Sequence, residues 1–217
     1  MKNVSIFTAL AVALLTPSAF AQSWEVGGGA GGGFYTSQDV TASFGSASAK
    51  IQSNVAGSAW LDNNSSGRWG GELRYDYQMG ALQLSSGSTE ATFAARTQAA
   101  HYDVLYHFAP RGAKIRPFVS AGAGIKIYSG TGTQVVYQPL SNIALLTQAQ
   151  DLTPLASGGG GVKMQLASRV QLRIEVHDYL TPFPKQVITP NTGAKAGGWL
   201  QDFVPMVGIS YTSPEGR

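Results

Sequence analysis

The chain has no cysteine among its 217 residues, which excludes disulfide staples and thiolate metal centres. Charge is scarce too: Asp, Glu, Lys and Arg together make up 12% of the sequence, too little to coat the outer faces of many helices. A net charge of +3 without a basic cluster argues against nucleic acid as a partner. Past residue 22 there is no uninterrupted apolar run of the ~20 residues that a spanning helix needs. If the mature chain enters a membrane, it does so as a closed β-barrel, the other structure that satisfies every backbone polar group in lipid.

What is present is an export pattern followed by alternation. Lys2, the apolar stretch from Ile6 to Leu15 and the triplet Ala19-Phe20-Ala21 have the form of a secretory signal peptide over residues 1–21, leaving a mature chain of 22–217. Eight segments then alternate apolar and polar residues at the period of a strand: 23–35, 49–62, 68–79, 98–108, 115–128, 156–166, 170–180 and 202–211. The glycine run 27–33 has no following Gly-Lys-Ser/Thr, so it reads as close strand packing and not as a phosphate loop. Turn residues fill 63–67, residues 140–150 could form a helical turn or two, and Pro205 predicts a bulge or a strand entrance.

Two regularities orient these strands. Their connections run to about a dozen, five, eighteen, six, twenty-seven, three and twenty-one residues, the alternation expected when short periplasmic turns answer long extracellular loops. Charge is also segregated. Glu25, Lys50, Glu72, Arg74, Asp76, His101, Asp103, Arg116, Lys126, Lys163, Arg173, Glu175 and His177 share one face. Leu73, Tyr75, Val104, Tyr106, Val119, Ile125, Leu172, Ile174, Val176, Val207 and Ile209 occupy the other. Since an Arg or Lys facing mid-bilayer lipid costs roughly 2–4 kcal/mol, the clean face is the lipid face. Trp24, Trp69, Phe108 and Tyr211 fall on it at the ends next to the short turns, as an interfacial aromatic girdle would. The expected fold is all-β: an eight-stranded antiparallel up-and-down transmembrane β-barrel whose charged face pairs internally as a structural network.

The segments Arg116-Pro117-Phe118-Val119-Ser120-Ala121-Gly122-Ala123-Gly124, Gly158-Gly159-Gly160-Gly161-Val162-Lys163 and Arg173-Ile174-Glu175-Val176-His177-Asp178-Tyr179 resemble the outer-membrane β-barrel superfamily typified by the outer-membrane protein A barrel. The resemblance covers nearly the whole mature chain. It implies outer-membrane lipids and lipopolysaccharide as surroundings, and the barrel-assembly machinery and periplasmic chaperones as partners in biogenesis. One departure is that Tyr211 is followed by Thr212 to Arg217, whereas members commonly end on an aromatic residue.

His101 with Asp103, and His177 with Glu175, are the residue types of acid/base and metal chemistry, but small barrels fill their interiors with such groups for structural reasons. The sequence therefore predicts no catalytic residue, no cofactor and no metal. A lipid A-modifying hydrolase of the barrel type is disfavoured because no histidine lies on the apolar face. The favoured function is a structural or surface-interaction barrel whose long loops meet extracellular partners. A narrow pore or conduit for small molecules, and a secreted lipocalin-like binder with the faces inverted, are the alternatives.

Overall fold

The computed structural model describes residues 23–43, 45–52, 55–135 and 137–213. The signal-peptide expectation for 1–21 lies outside the described residues. Among the described residues there is no helix, and thirteen strands account for the regular structure. They are β1 (Ser23–Gly32), β2 (Phe34–Tyr35), β3 (Gln38–Ala42), β4 (Gly45–Gln52), β5 (Val55–Ser66), β6 (Trp69–Ser86), β7 (Thr89–His107), β8 (Ile115–Gly130), β9 (Ala144–Leu146), β10 (Gln150–Gln165), β11 (Val170–Pro182), β12 (Ile188–Pro190) and β13 (Trp199–Thr212).

Eight of these close a barrel in the order β1-β5-β6-β7-β8-β10-β11-β13, and β13 pairs back onto β1. Every neighbouring pair is antiparallel. Closure leaves no unpaired edge, which stabilises a sheet with one apolar outer face. The charged face of each strand turns inward and the apolar face outward. Ile174 and Val176 are exposed, for example, whereas Arg173, Glu175 and His177 between and beside them are buried.

The barrel strands run further than their alternation suggests. The β6–β7 ladder continues unbroken from Trp69–Tyr106 to Ser86–Thr89, so the stretch 80–97, expected as a connection that includes extensions of its flanking strands, is paired throughout as a hairpin projecting from the wall. It reverses at Gly87, whose φ of 58° lies in the left-handed region. At the opposite end β5 reaches Ser66 past an irregularity between Asn63 and Ser66. The turn expected at 63–67 thus contracts to Gly67-Arg68, with Gly67 at φ 48°.

The expected strand 49–62 is in fact two strands of opposite sidedness. β4 leaves the barrel wall and pairs with β3 and with the projecting part of β6. Its odd residues Ala47, Ala49 and Ile51 point inward, while the inward residues of β5 are the even ones, Ala56, Trp60 and Asp62. Lys50 accordingly sits exposed on β4 and is not part of the lumen, a correction to its place on the polar face. Residues 140–150 form a turn and then β9, which pairs with β12, in place of a helical turn. Pro205 lies inside β13, exposed. The β1–β13 ladder stops at Gly31–Met206 and resumes at Phe34–Phe203, so the gap coincides with the residue that has no amide hydrogen to contribute.

The long connections are built, not slack. Val40, Ala49, Ile51, Leu82, Leu84 and Phe93 join Ile143, Leu146, Phe183, Val187, Ile188 and Leu200 in one apolar core above the barrel. Val40 is fully buried there. Removing two methyl groups with Val40→Ala should weaken this layer by about 1–2 kcal/mol, at ~0.8 kcal/mol per methylene. Trypsin cleavage at the exposed Lys50 and Lys195 should rise several-fold, while the mobility of the unboiled barrel in detergent gels stays unchanged.

Candidate functional site: the charged lumen

The inward face of the eight strands assembles a layered polar interior. Next to the short-turn end, Lys163 donates to Glu25 (2.9 Å) and to Asp62. Arg116 closes the mouth by donating to the backbone carbonyls of Ala109 (3.3 Å) and Gly67 (2.7 Å). His107 is buried beside the carbonyl of Arg68.

Above this lies a ring of four charges. Arg74 donates from Nε to Glu72 (2.9 Å) and from Nη2 to Glu175. Arg173 donates from Nε to Glu175 (2.5 Å) and from Nη1 to the second oxygen of Glu72. Glu72 and Arg74 are on β6, and Arg173 and Glu175 on β11, which stand opposite one another in the closed order. The ring therefore crosses the full width of the lumen. All four side chains are essentially inaccessible to solvent.

Trp60 stiffens this layer. Its ring lies under the guanidinium groups of Arg74 (5.0 Å) and Arg173 (4.8 Å), a geometry in which the ring quadrupole attracts the cation. The glycine-rich β1 makes room for it: a Cβ on Gly27 would fall 2.5 Å from the indole, and one on Gly208 of β13 2.4 Å from it. The glycines read from sequence as close packing have this specific cause.

The next layer holds the histidines. His101 lies between Asp103 (Nδ1, 3.0 Å) and Asp76 (Nε2, 3.1 Å), with the Tyr179 hydroxyl also donating to Asp76 (2.7 Å). Ser58 and Ser157 donate to Asp76 and Asp103 in turn. His177 is 3.3 Å from Glu175 through Nε2 and 3.7 Å from Asp103 through Nδ1. A thin apolar layer of Ala56, Ala99, Leu155, Val204 and Met206 follows. Lys126 then meets Asp202, flanked by the rings of Tyr35 (4.7 Å) and Tyr128 (5.5 Å), directly below the loop core.

Of the charged residues singled out in the sequence, all except Lys50 are buried in this interior. Asp62 and Asp202 escaped notice because each sits at an expected strand end, although both share the parity of their inward neighbours. Tyr35, Gln78 and Tyr179 carried no charge to flag them. The inward face holds eight buried carboxylates, Glu25, Asp62, Glu72, Asp76, Asp103, Asp151, Glu175 and Asp202, against the five buried cations Arg74, Arg116, Lys126, Lys163 and Arg173. Three negative charges remain in excess before the histidines are counted.

Outside, Leu73, Tyr75, Val104, Val119, Ile125, Ile174, Val176, Val207 and Ile209 are exposed, and Tyr106 and Leu172 are half-buried. Trp69, Phe108 and Tyr211 are exposed and Trp24 is half-buried. Trp69, Tyr106 and Phe108 pack edge to face, with centroids 5.0 and 5.4 Å apart. An outward apolar belt, a polar interior and a closed antiparallel sheet are the three requirements of a lipid-embedded barrel.

Known proteins agree with that architecture. A family model for the outer membrane protein β-barrel domain matches residues 7–197. Among solved structures, the outer membrane protein OprG from Pseudomonas aeruginosa is similar at a TM-score of 0.61 and 12% identity, covering 89% of this chain and 96% of that one. Neisserial surface protein A gives 0.51 at 9% identity, with 87% and 96% covered. The outer membrane protein AlkL, solved in lipid bilayers, gives 0.50 at 12% identity, with 88% and 90% covered. At such identities the likeness concerns the fold. No curated protein sequence matches the chain. The closed eight-stranded barrel and the family match over most of its length place the chain in one group: it belongs to the outer membrane protein β-barrel family.

Proposed function

We propose that this protein is a non-conducting, non-enzymatic outer-membrane barrel whose ordered extracellular hairpins form a surface-interaction platform. The observation that carries this reading is the four-charge ring of Glu72, Arg74, Arg173 and Glu175, which ties opposite walls together with no exposed side chain. A permeant solute would have to break it, and separating buried ion pairs costs several kcal/mol. The loop core above adds a second seal. A platform role is supported by the same loops, since an apolar core of their own holds β3, β4, β9 and β12 in place while Tyr137 and Leu145 remain exposed. In this reading the short turns face the periplasm, the outward belt meets outer-membrane lipid and lipopolysaccharide, and periplasmic chaperones and the barrel-assembly machinery deliver the chain.

Planar bilayers distinguish the platform from a conduit. Refolded protein at substantial loading should give no discrete conductance steps, and proteoliposomes should take up small polar or hydrophobic solutes no faster than protein-free vesicles. Reproducible steps or accelerated uptake would establish a conduit instead.

A further inference from the structure

Inside the histidine layer, two buried acceptors face each other. The Nε2 of His177 lies 3.3 Å from Glu175 Oε2, and a proton donated there leaves Nδ1 as a bare lone pair. That lone pair faces Asp103 Oδ2 at 3.7 Å. Neither atom has a hydrogen-bond partner, and both side chains are fully buried. Ser120 Oγ, also buried and unpartnered, borders the same spot. A Cβ on Gly159 would stand 2.9 Å from His177 Nδ1 and 3.0 Å from Ser120 Oγ, so the missing side chain of Gly159 is what opens the space. One ligand atom each from Glu72, Asp103 and His177 lies within 4.8 Å of the others. Facing lone pairs repel strongly where water does not screen them.

We propose that this barrel binds a divalent transition-metal ion of the zinc type inside its lumen, held by His177 Nδ1, Asp103 Oδ2 and Glu72, with Ser120 Oγ at the margin as a further oxygen donor. Tetrahedral bonds of about 2.0–2.2 Å separate ligand atoms by about 3.3–3.5 Å, so the 3.7 Å between His177 and Asp103 closes with a shift of a few tenths of an ångström. The surrounding shell is already in place. Glu175 orients the imidazole through Nε2, and His101 and Ser157 occupy the other oxygen of Asp103, the outer hydrogen bonds that metal-ligating residues normally carry. An oxygen and imidazole set without sulfur suits zinc, cobalt or manganese. A doubly charged cation also offsets part of the excess of buried carboxylates over buried cations. Glu72 is shared with Arg74 and Arg173 and is the weakest of the three donors.

The lumen is closed, so the ion is supplied during folding. Full-length protein refolded with Zn2+ and stripped of excess metal should retain one equivalent, and the temperature at which its gel mobility converts should rise by about 10 °C over protein refolded with EDTA. With Co2+ it should develop visible tetrahedral absorption. His177→Gln and Asp103→Asn should lose the bound equivalent and the thermal gain. His107→Gln, a buried histidine outside the cluster, should keep both. Wild-type protein retaining less than about a tenth of an equivalent would overturn the proposal and leave the space to a water or a proton. Equal retention by the two variants would overturn it as well, since the ion would then lie elsewhere. Should both variants fail to refold, X-ray absorption of the zinc-loaded wild type decides, because a shell without imidazole excludes this site.

Discussion

Arg173→Met is expected to lower the unfolding free energy by about 3–5 kcal/mol, the range for removing one partner of a buried ion pair. Arg173 is fully buried and serves Glu72, Glu175 and Asp62 at once while its guanidinium rests on Trp60 and Phe118. The loss comes less from the attraction removed than from carboxylates left buried beside each other. The check is the urea midpoint of the refolded barrel in detergent, followed by gel mobility. Replacing Glu72, Arg74, Arg173 and Glu175 together with apolar residues of matched volume should recover most of the loss, because no charge is then stranded. A cost for Arg173→Met below about 1 kcal/mol would mean that water reaches the ring, and the sealed lumen would fall with it.

Ile174→Arg, one residue further along β11, tests the opposite face. Ile174 is 45% exposed on the outer wall, and a guanidinium there should cost roughly 2–4 kcal/mol near the bilayer midplane. The yield of heat-modifiable protein in outer-membrane fractions should drop sharply. Leu166→Arg is the internal control: Leu166 is 62% exposed beside the turn that joins β10 and β11, where the penalty falls to about 0–1 kcal/mol. Equal tolerance of arginine at both positions would contradict a lipid-facing outer wall and favour a water-soluble barrel.

The difference between neighbours such as Arg173 and Ile174 is legible in the sequence, since alternation at period two assigns every residue of a regular strand to one side once the wet side is known. The same logic failed at Lys50. β4 and β5 have opposite sidedness, so reading them as one strand inverts the assignments on β4 while those on β5 hold. Asp62 and Asp202 are the terminal residues of their expected strands, where the inward parity is easily mistaken for the start of a polar connection, yet both are buried in the interior. The hairpin extension over 80–97 was hidden for another reason: its small and polar residues have weak alternation, and only pairing with β4 and the loop core gives one face something to bury against.

By itself, then, the sequence determined the number of barrel strands, the direction of the faces along them and the alternation of short turns with long connections, because these depend on local periodicity and on the cost of charge in lipid. Tertiary structure alone decided who meets whom. The ring across β6 and β11, the indole seated over Gly27 and Gly208, and the facing lone pairs of His177 and Asp103 all join residues far apart in the chain. Their partnership follows from closure and register, which place opposite walls within hydrogen-bonding reach and which no local pattern encodes.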